Sequence, residues 1–323
     1  MLRYLGRRVL GAIPVILVAS FITFWLIRRA VDPLAKYRHQ RDSARVLAEQ
    51  RVKLGLDHSI FQQWWDWLTR FLRGDMGTSS RTGDSVSSMI GRALWPTIQL
   101  MFWATLVSVC VAILLGVYSA VKQYSVSDYF FTGLSYVGIA MPDFWFALMA
   151  IALLVTGPTV WFHLDQPIFY SIGLHSEGMS GVNLDYFRHL ALPVLTLTFT
   201  SVAAWSRYLR AETLGVLNAD YVRTARAKGV PHRKVITHHA VRNSLIPFTT
   251  ITALDTAFLI GGVIIVEKIF SIPGMGQAFF TALQAGDAPF LLSWFVIAAV
   301  AVIAFNLIAD VVYVVLDPRI RLS

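Results

Sequence analysis

A chain of 323 residues that is 56% hydrophobic and only 15% charged, with a mean hydropathy of +0.58, is not an ordinary soluble domain. Its composition is that of a polytopic membrane protein. The formal charge of +9 does not mark a nucleic-acid binder, because the basic residues flank apolar runs and crowd one loop, as membrane orientation requires.

Arg3, Arg7 and Arg8 precede an apolar run from Val9 to Ile27. That run of 19 residues would extend about 28 Å as a helix, enough to span the hydrocarbon core. No small-x-small cleavage site follows, so residues 1–28 read as an N-terminal segment and an uncleaved first span with its basic end inside. Residues 29–95 form a long polar region expected outside; its excess of basic residues is tolerable, because the positive-inside rule weakens in loops beyond about 60 residues. Within it Phe61, Trp64, Trp65, Leu68 and Leu72 recur at helical spacing. They read as an amphipathic helix, either packed at the membrane surface or offered to a soluble partner.

Residues 96–323 then supply five more spans. The second runs from about Pro96 to Val121, and Lys122 to Asp128 makes a short inside loop. A third, about 129–156, is interrupted at Met141-Pro142-Asp143, where the proline should kink it. The loop Gly157 to Asp185 has acidic residues but no Lys or Arg, and so is expected outside. Spans four (about 188–206), five (about 246–266) and six (about 289–312) follow, with Glu267 to Ala288 as an outside loop. Six spans with both termini cytoplasmic result, in an all-α fold.

Between spans four and five lies the most informative stretch. Arg207, Arg210, Arg223, Arg226, Lys228, Arg233, Lys234 and Arg242 are opposed there only by Glu212 and Asp220. Tyr221 to Gly229 reads as a short helix stopped by glycine. Val230-Pro231 turns the chain, and a second helical stretch runs from Arg233 to Leu245 and into Pro247. Helix, glycine turn and helix make a knob on the inner face for another protein to grip.

Asp220-Tyr-Val-Arg-Thr-Ala-Arg-Ala-Lys-Gly229, with His239-Ala-Val-Arg-Asn-Ser-Leu-Ile-Pro247, resembles the coupling loop of ABC-importer permeases, closest to the dipeptide, oligopeptide and nickel branch. The broader importer pattern has Glu-Ala-Ala before the glycine; Arg223-Thr224-Ala225 stand here, so only Ala225 and Gly229 match it, with Pro247 further on. Leu54-Gly-Leu-Asp57, Arg73-Gly-Asp-Met-Gly77, Ala93-Leu-Trp-Pro-Thr97, Phe270-Ser-Ile-Pro-Gly-Met-Gly276, Asp310-Val-Val-Tyr313 and Asp317-Pro-Arg319 extend the resemblance along the chain. The resemblance implies a type I importer permease. Its partners would be a second homologous permease, two ATP-binding subunits and an extracytoplasmic substrate-binding protein. It also implies that the loop 207–245 docks on an ATPase, with Tyr221, Arg223, Ala225, Arg226, Lys228, Gly229 and Arg233 at the contact. The cargo expected is a short peptide, with nickel complexes, glutathione-like peptides or haem as alternatives.

The chain has no G-x-x-x-x-G-K-[ST] stretch, so ATP and Mg²⁺ are expected on partner subunits and this chain is expected to be no enzyme. His232, His238 and His239 do not suggest a metal shell, since adjacent histidines on one helix cannot both face one ion. Cys110, the only cysteine, rules out an internal disulfide. Asp143, Asp255 and Asp310 lie in or near spans, and a carboxylate there costs about 2.5–3.5 kcal/mol on insertion scales. Each should therefore face protein or water. Asp255 and Asp143 are candidates for the translocation path, or for a proton relay in a secondary transporter; a packing role is equally consistent with their positions.

Overall fold

The computed structural model describes residues 2–32, 34, 43–53 and 55–316. Every long element among them is a helix, the solution that lets a chain satisfy its backbone polar groups without water. Two compact units are present: residues 1–95 with 274–303, and residues 96–273 with 304–323.

The first unit begins with α1 (Leu2–Ala30), followed by α2 (Ser43–Lys53) and α3 (Ile60–Leu72). Helix α3 starts at a reciprocal capping box, in which Ser59 accepts from the Gln62 amide and the Gln62 side chain accepts from the Ser59 amide. Its Trp64, Trp67 and Leu68 are buried, and it packs on α1. Further along, buried Asp287 accepts from the Ser79 hydroxyl and from the Ser80 amide at 3.0 Å, fixing the turn after α12 (Met275–Ala285) to the loop before α4 (Val86–Val121).

The second unit holds the rest of α4, then α5 (Val126–Ala140), α6 (Asp143–Ile151), a π-helical segment (Ala152–Thr156), α7 (Gly157–Trp161) and α8 (Leu184–Leu217). Helices α9 (Asp220–Ala227) and α10 (His232–Lys234), a second π-helical segment (Val235–Val241) and α11 (Arg242–Ile269) follow. The C-terminal part of α13 (Ala288–Leu316) completes the unit. Its core joins Leu100 and Ala104 of α4, Ala147 of α6, Leu190 and Leu197 of α8, and Val263 and Val266 of α11.

Five helices among the described residues are long and apolar enough to cross a membrane: Gly6–Ala30, Val86–Val121, Asp143–Trp161, Leu184–Leu217 and Ala288–Ile308. Helix α11, 28 residues and thus about 42 Å long, is the sixth long helix but is not among those five.

Several boundaries depart from the sequence expectation. The third span does not kink at Pro142; it breaks, with Met141 extended at ψ 122°, because a residue before proline is pushed out of the helical region. Pro247 does not end a helix either, since the chain is helical from His232 to Ile269. Residues 207–217, expected in the cytoplasmic loop, still belong to α8. Glu267, expected in an outside loop, is fully buried in α11 and accepts from the Thr97 hydroxyl at 2.6 Å. The Asp317-Pro-Arg319 ending and the Arg3 and Asp310 side chains lie outside what is described.

Orientation can be tested at two exposed positions. Ser180 lies in the loop without basic residues and Asn218 at the end of α8. On a Cys110-free background, an impermeant thiol reagent should label Ser180→Cys in intact cells and Asn218→Cys only after permeabilisation. The opposite pattern would invert the proposed topology.

Candidate coupling site

Helix α9 is short, with two buried residues: Val222 and Ala225, three positions apart, face inward at 0% and 9% exposure. Tyr221, Arg223, Arg226 and Lys228 are exposed, and Arg233 and Lys234 extend the basic surface along α10. An Arg223–Asp220 contact at 3.6 Å joins two exposed side chains and contributes little.

The stop at Gly229 is a Schellman motif. The Gly229 amide donates to the Arg226 carbonyl at 2.9 Å and the Val230 amide to the Ala225 carbonyl at 3.2 Å. Gly229 has φ +75°, and an added Cβ there would meet nothing within 4 Å. Its requirement for glycine is thus conformational and not steric: the left-handed region costs other residues about 1–2 kcal/mol.

One contact fastens this knob to α11, and another ties α11 to α8 beside it. Asn243, at the start of α11, donates through Nδ2 to the Tyr221 hydroxyl at 3.2 Å and to the His239 carbonyl at 2.8 Å. Thr213 of α8 donates to Ser244 of α11 at 3.2 Å. The intervening π-helical segment buries Val235 and Ala240 and packs beside α9. Such segments place one extra residue in a turn and occur often at functional sites.

About two turns before the end of α8, Arg210 grips Asp128 of α5 through Nε and Nη2, both at 2.8 Å. Asp128 is 2% exposed, and the Tyr124 amide also donates to it at 3.0 Å. The sequence placed Arg210 among orientation charges and Asp128 in a loop; pairing across 82 residues carries no local signal. Asp128 is buried while Arg210 stays a quarter exposed, so losing Arg210 would leave a buried carboxylate without its charged partner. The arrangement holds the base of α8 where α9 departs from it.

The two candidate pathway carboxylates lie elsewhere, along the contact of α8 with α6 and α11. Thr200 donates to Asp143 Oδ1 at 2.6 Å, and the other Asp143 oxygen would be 3.3 Å from a Cβ at Gly262 of α11. Glycine at 262 lets the carboxylate approach the α11 backbone. Trp205 donates through Nε1 to Asp255 Oδ2 at 2.8 Å. Neither aspartate has a basic partner among the described residues. A cavity of about 390 Å³ opens nearby, walled by Met101, Thr105 and Val109 of α4, Thr256 of α11 and Phe305 of α13. Thr256 lines it; Asp255 does not.

Long apolar helices, with a basic, glycine-stopped knob between two of them, define an all-α polytopic membrane protein. Residues 112–322 match the family described as binding-protein-dependent transport system inner membrane component, and residues 1–109 match the N-terminal model of such membrane components. The chain belongs to that family. It is 36% identical to the oligopeptide transport system permease protein AppB of Bacillus subtilis, covering 99% of this chain and all of AppB. The dipeptide transport system permease protein DppB of Alkalihalophilus pseudofirmus is 34% identical, over 99% of this chain and all of that one. The oligopeptide transport system permease protein OppB of Mycobacterium tuberculosis is 33% identical over both full lengths.

The role of Asp255 is open to a direct test. Asp255→Asn keeps an acceptor for the Trp205 indole, whereas Asp255→Leu leaves that buried donor unpaired, at about 1–3 kcal/mol. If Asp255 belongs to the translocation path, Asp255→Asn changes uptake in reconstituted vesicles while the complex keeps its thermal stability. Unchanged uptake in Asp255→Asn, together with loss of stability in Asp255→Leu, would make it a packing residue.

Proposed function

We propose that this chain is the transmembrane permease subunit of an ATP-driven importer in the bacterial inner membrane. With a second homologous permease it forms the path for short peptides. Two cytosolic ATP-binding subunits supply ATP and Mg²⁺ chemistry, and an extracytoplasmic binding protein delivers cargo. Both termini are cytoplasmic in this reading. Peptide cargo is favoured over nickel complexes, glutathione-like peptides and haem by the relatives described above, which are permeases of oligopeptide and dipeptide transport systems. Membership in a binding-protein-dependent family favours this reading over a proton-coupled secondary transporter.

The observation that carries the mechanism is α9: a short, tightly terminated helix fastened at Tyr221 to α11 and joined to α8 by only Asn218 and Ala219. In the proposed cycle, α9 occupies a groove on an ATPase. When ATP binding closes the ATPases, α9 moves with its groove and carries the inner ends of α8 and α11. The exposed Arg223, Arg226, Lys228 and Arg233 supply a positive rim that steers it to an acidic groove.

Gly229 tests this. Gly229→Val strains the helix stop in open space, so the permease pair should assemble with near-normal thermal stability. Binding-protein-stimulated uptake in reconstituted vesicles should fall at least tenfold, with ATP hydrolysis lost or uncoupled. Gly229→Asn, which tolerates the left-handed conformation better, should retain more uptake than Gly229→Val. Full coupling in Gly229→Val would reduce the basic loop to an orientation signal.

A further inference from the structure

Helix α3 is held at membrane depth by the residues it touches. Its Trp64 indole donates to Ser20 Oγ of α1 at 3.2 Å and stands edge-on to Phe21, with centroids 5.4 Å apart. Trp67 lies 6.0 Å from Phe24, and Arg28 donates through Nε and Nη2 to Gln63 Oε1 at 3.0 and 2.8 Å. The apolar run of α1 ends at Ile27, so Phe24 and Ser20 lie about 5 and 10 Å below its end. Contacts at those positions place α3 alongside the membrane-crossing part of α1, not above it.

At about 100° per residue, α3 carries three stripes. One, with Trp64, Trp67 and Leu68, is buried. A second carries the polar Gln62, Asp66 and Arg70, all exposed. The third aligns Phe61, Trp65 and Leu72 within about 40° of one another, and these are 58%, 51% and 75% exposed. That apolar stripe adjoins the buried one, and at the same depth α1 exposes Ile22, Trp25 and Leu26.

We propose that the Phe61–Trp65–Leu72 face of α3 is a lipid-binding surface, seated in the headgroup and upper acyl region of the phospholipid leaflet at the C-terminal end of α1. The proposal rests on reading α1 as a membrane span. Its continuity with the exposed apolar side of α1 selects lipid as the occupant. Tryptophan suits the boundary between chains and headgroups, and Arg70 and Arg73 can extend their guanidinium groups to lipid phosphates. In the proposed orientation this is the outer leaflet.

The test is spin-label accessibility in the assembled importer in phospholipid nanodiscs. Single cysteines replace Phe61, Trp65 or Leu72, and in a second set Gln62, Asp66 or Arg70, on a Cys110→Ala background. The first set should be relaxed more by oxygen than by an aqueous nickel chelate, and the second set the reverse. Leu72, at the end of the helix, gives the reading least dependent on packing. Two results would overturn the proposal: chelate-accessible labels at all six positions, or first-set labels shielded from both reagents, which would mean that protein covers the stripe. Neither readout involves ATP or uptake, so failure here is distinct from failure of the coupling mechanism.

Discussion

The antiparallel contact between α8 and α11 is the interaction on which the second unit depends. Two polar links cross it, Thr213 to Ser244 and Trp205 to Asp255, and a third ties α8 to α6, from Thr200 to Asp143 beside Gly262 of α11. Apolar packing by Leu197, Val263 and Val266 fills its upper part, and Trp205, Leu209 and Phe248 its lower part. Between membrane helices the hydrophobic effect offers little, because lipid is as apolar as leucine. Close packing at a small residue and hydrogen bonds between helices must do that work.

This seam gives the candidate coupling site its meaning. A surface helix of eight residues cannot be stable alone, and α9 owes its fixed position to Val222 and Ala225 packing inward and to the Tyr221–Asn243 bond. Its glycine stop is specified by backbone geometry. The Arg210–Asp128 pair fixes the same end of α8 against α5. In the proposed mechanism a push on α9 reaches α8 and α11 together, so force is applied to the seam and is not absorbed in a flexible loop.

How much of this was legible in the sequence depends on range. Composition and run length revealed the apolar helices, because lipid acts on each residue independently of its neighbours in space. The stop at Gly229 was legible for the same reason: it is a local conformational demand. Proline misled twice, in opposite directions. Pro142 separates two helices where a kink was expected, whereas Pro247 lies inside a helix that flanking turns and packed neighbours keep intact. Partnerships were invisible. Arg210 looked like one of eight orientation charges, and nothing near it in sequence points to Asp128; Glu267 looked like a loop acid although Thr97 holds it in the core. In the candidate site, the exposed cations and Gly229 could be named from the pattern. Asn243, Val222 and Val235 could not, since their roles exist only once α9 has folded back on α11.

The central claim is that α9 and the start of α11 move as one body. Joining Tyr221→Cys to Asn243→Cys with a short cleavable crosslinker, in the reconstituted importer on a Cys110-free background, tests it most directly. If the two segments move together, crosslinking leaves ATP-driven peptide uptake at its uncrosslinked rate, and cleaving the linker changes nothing. Uptake abolished by the crosslink and restored by its cleavage would contradict the account, for it would mean that α9 must separate from α11 in every cycle.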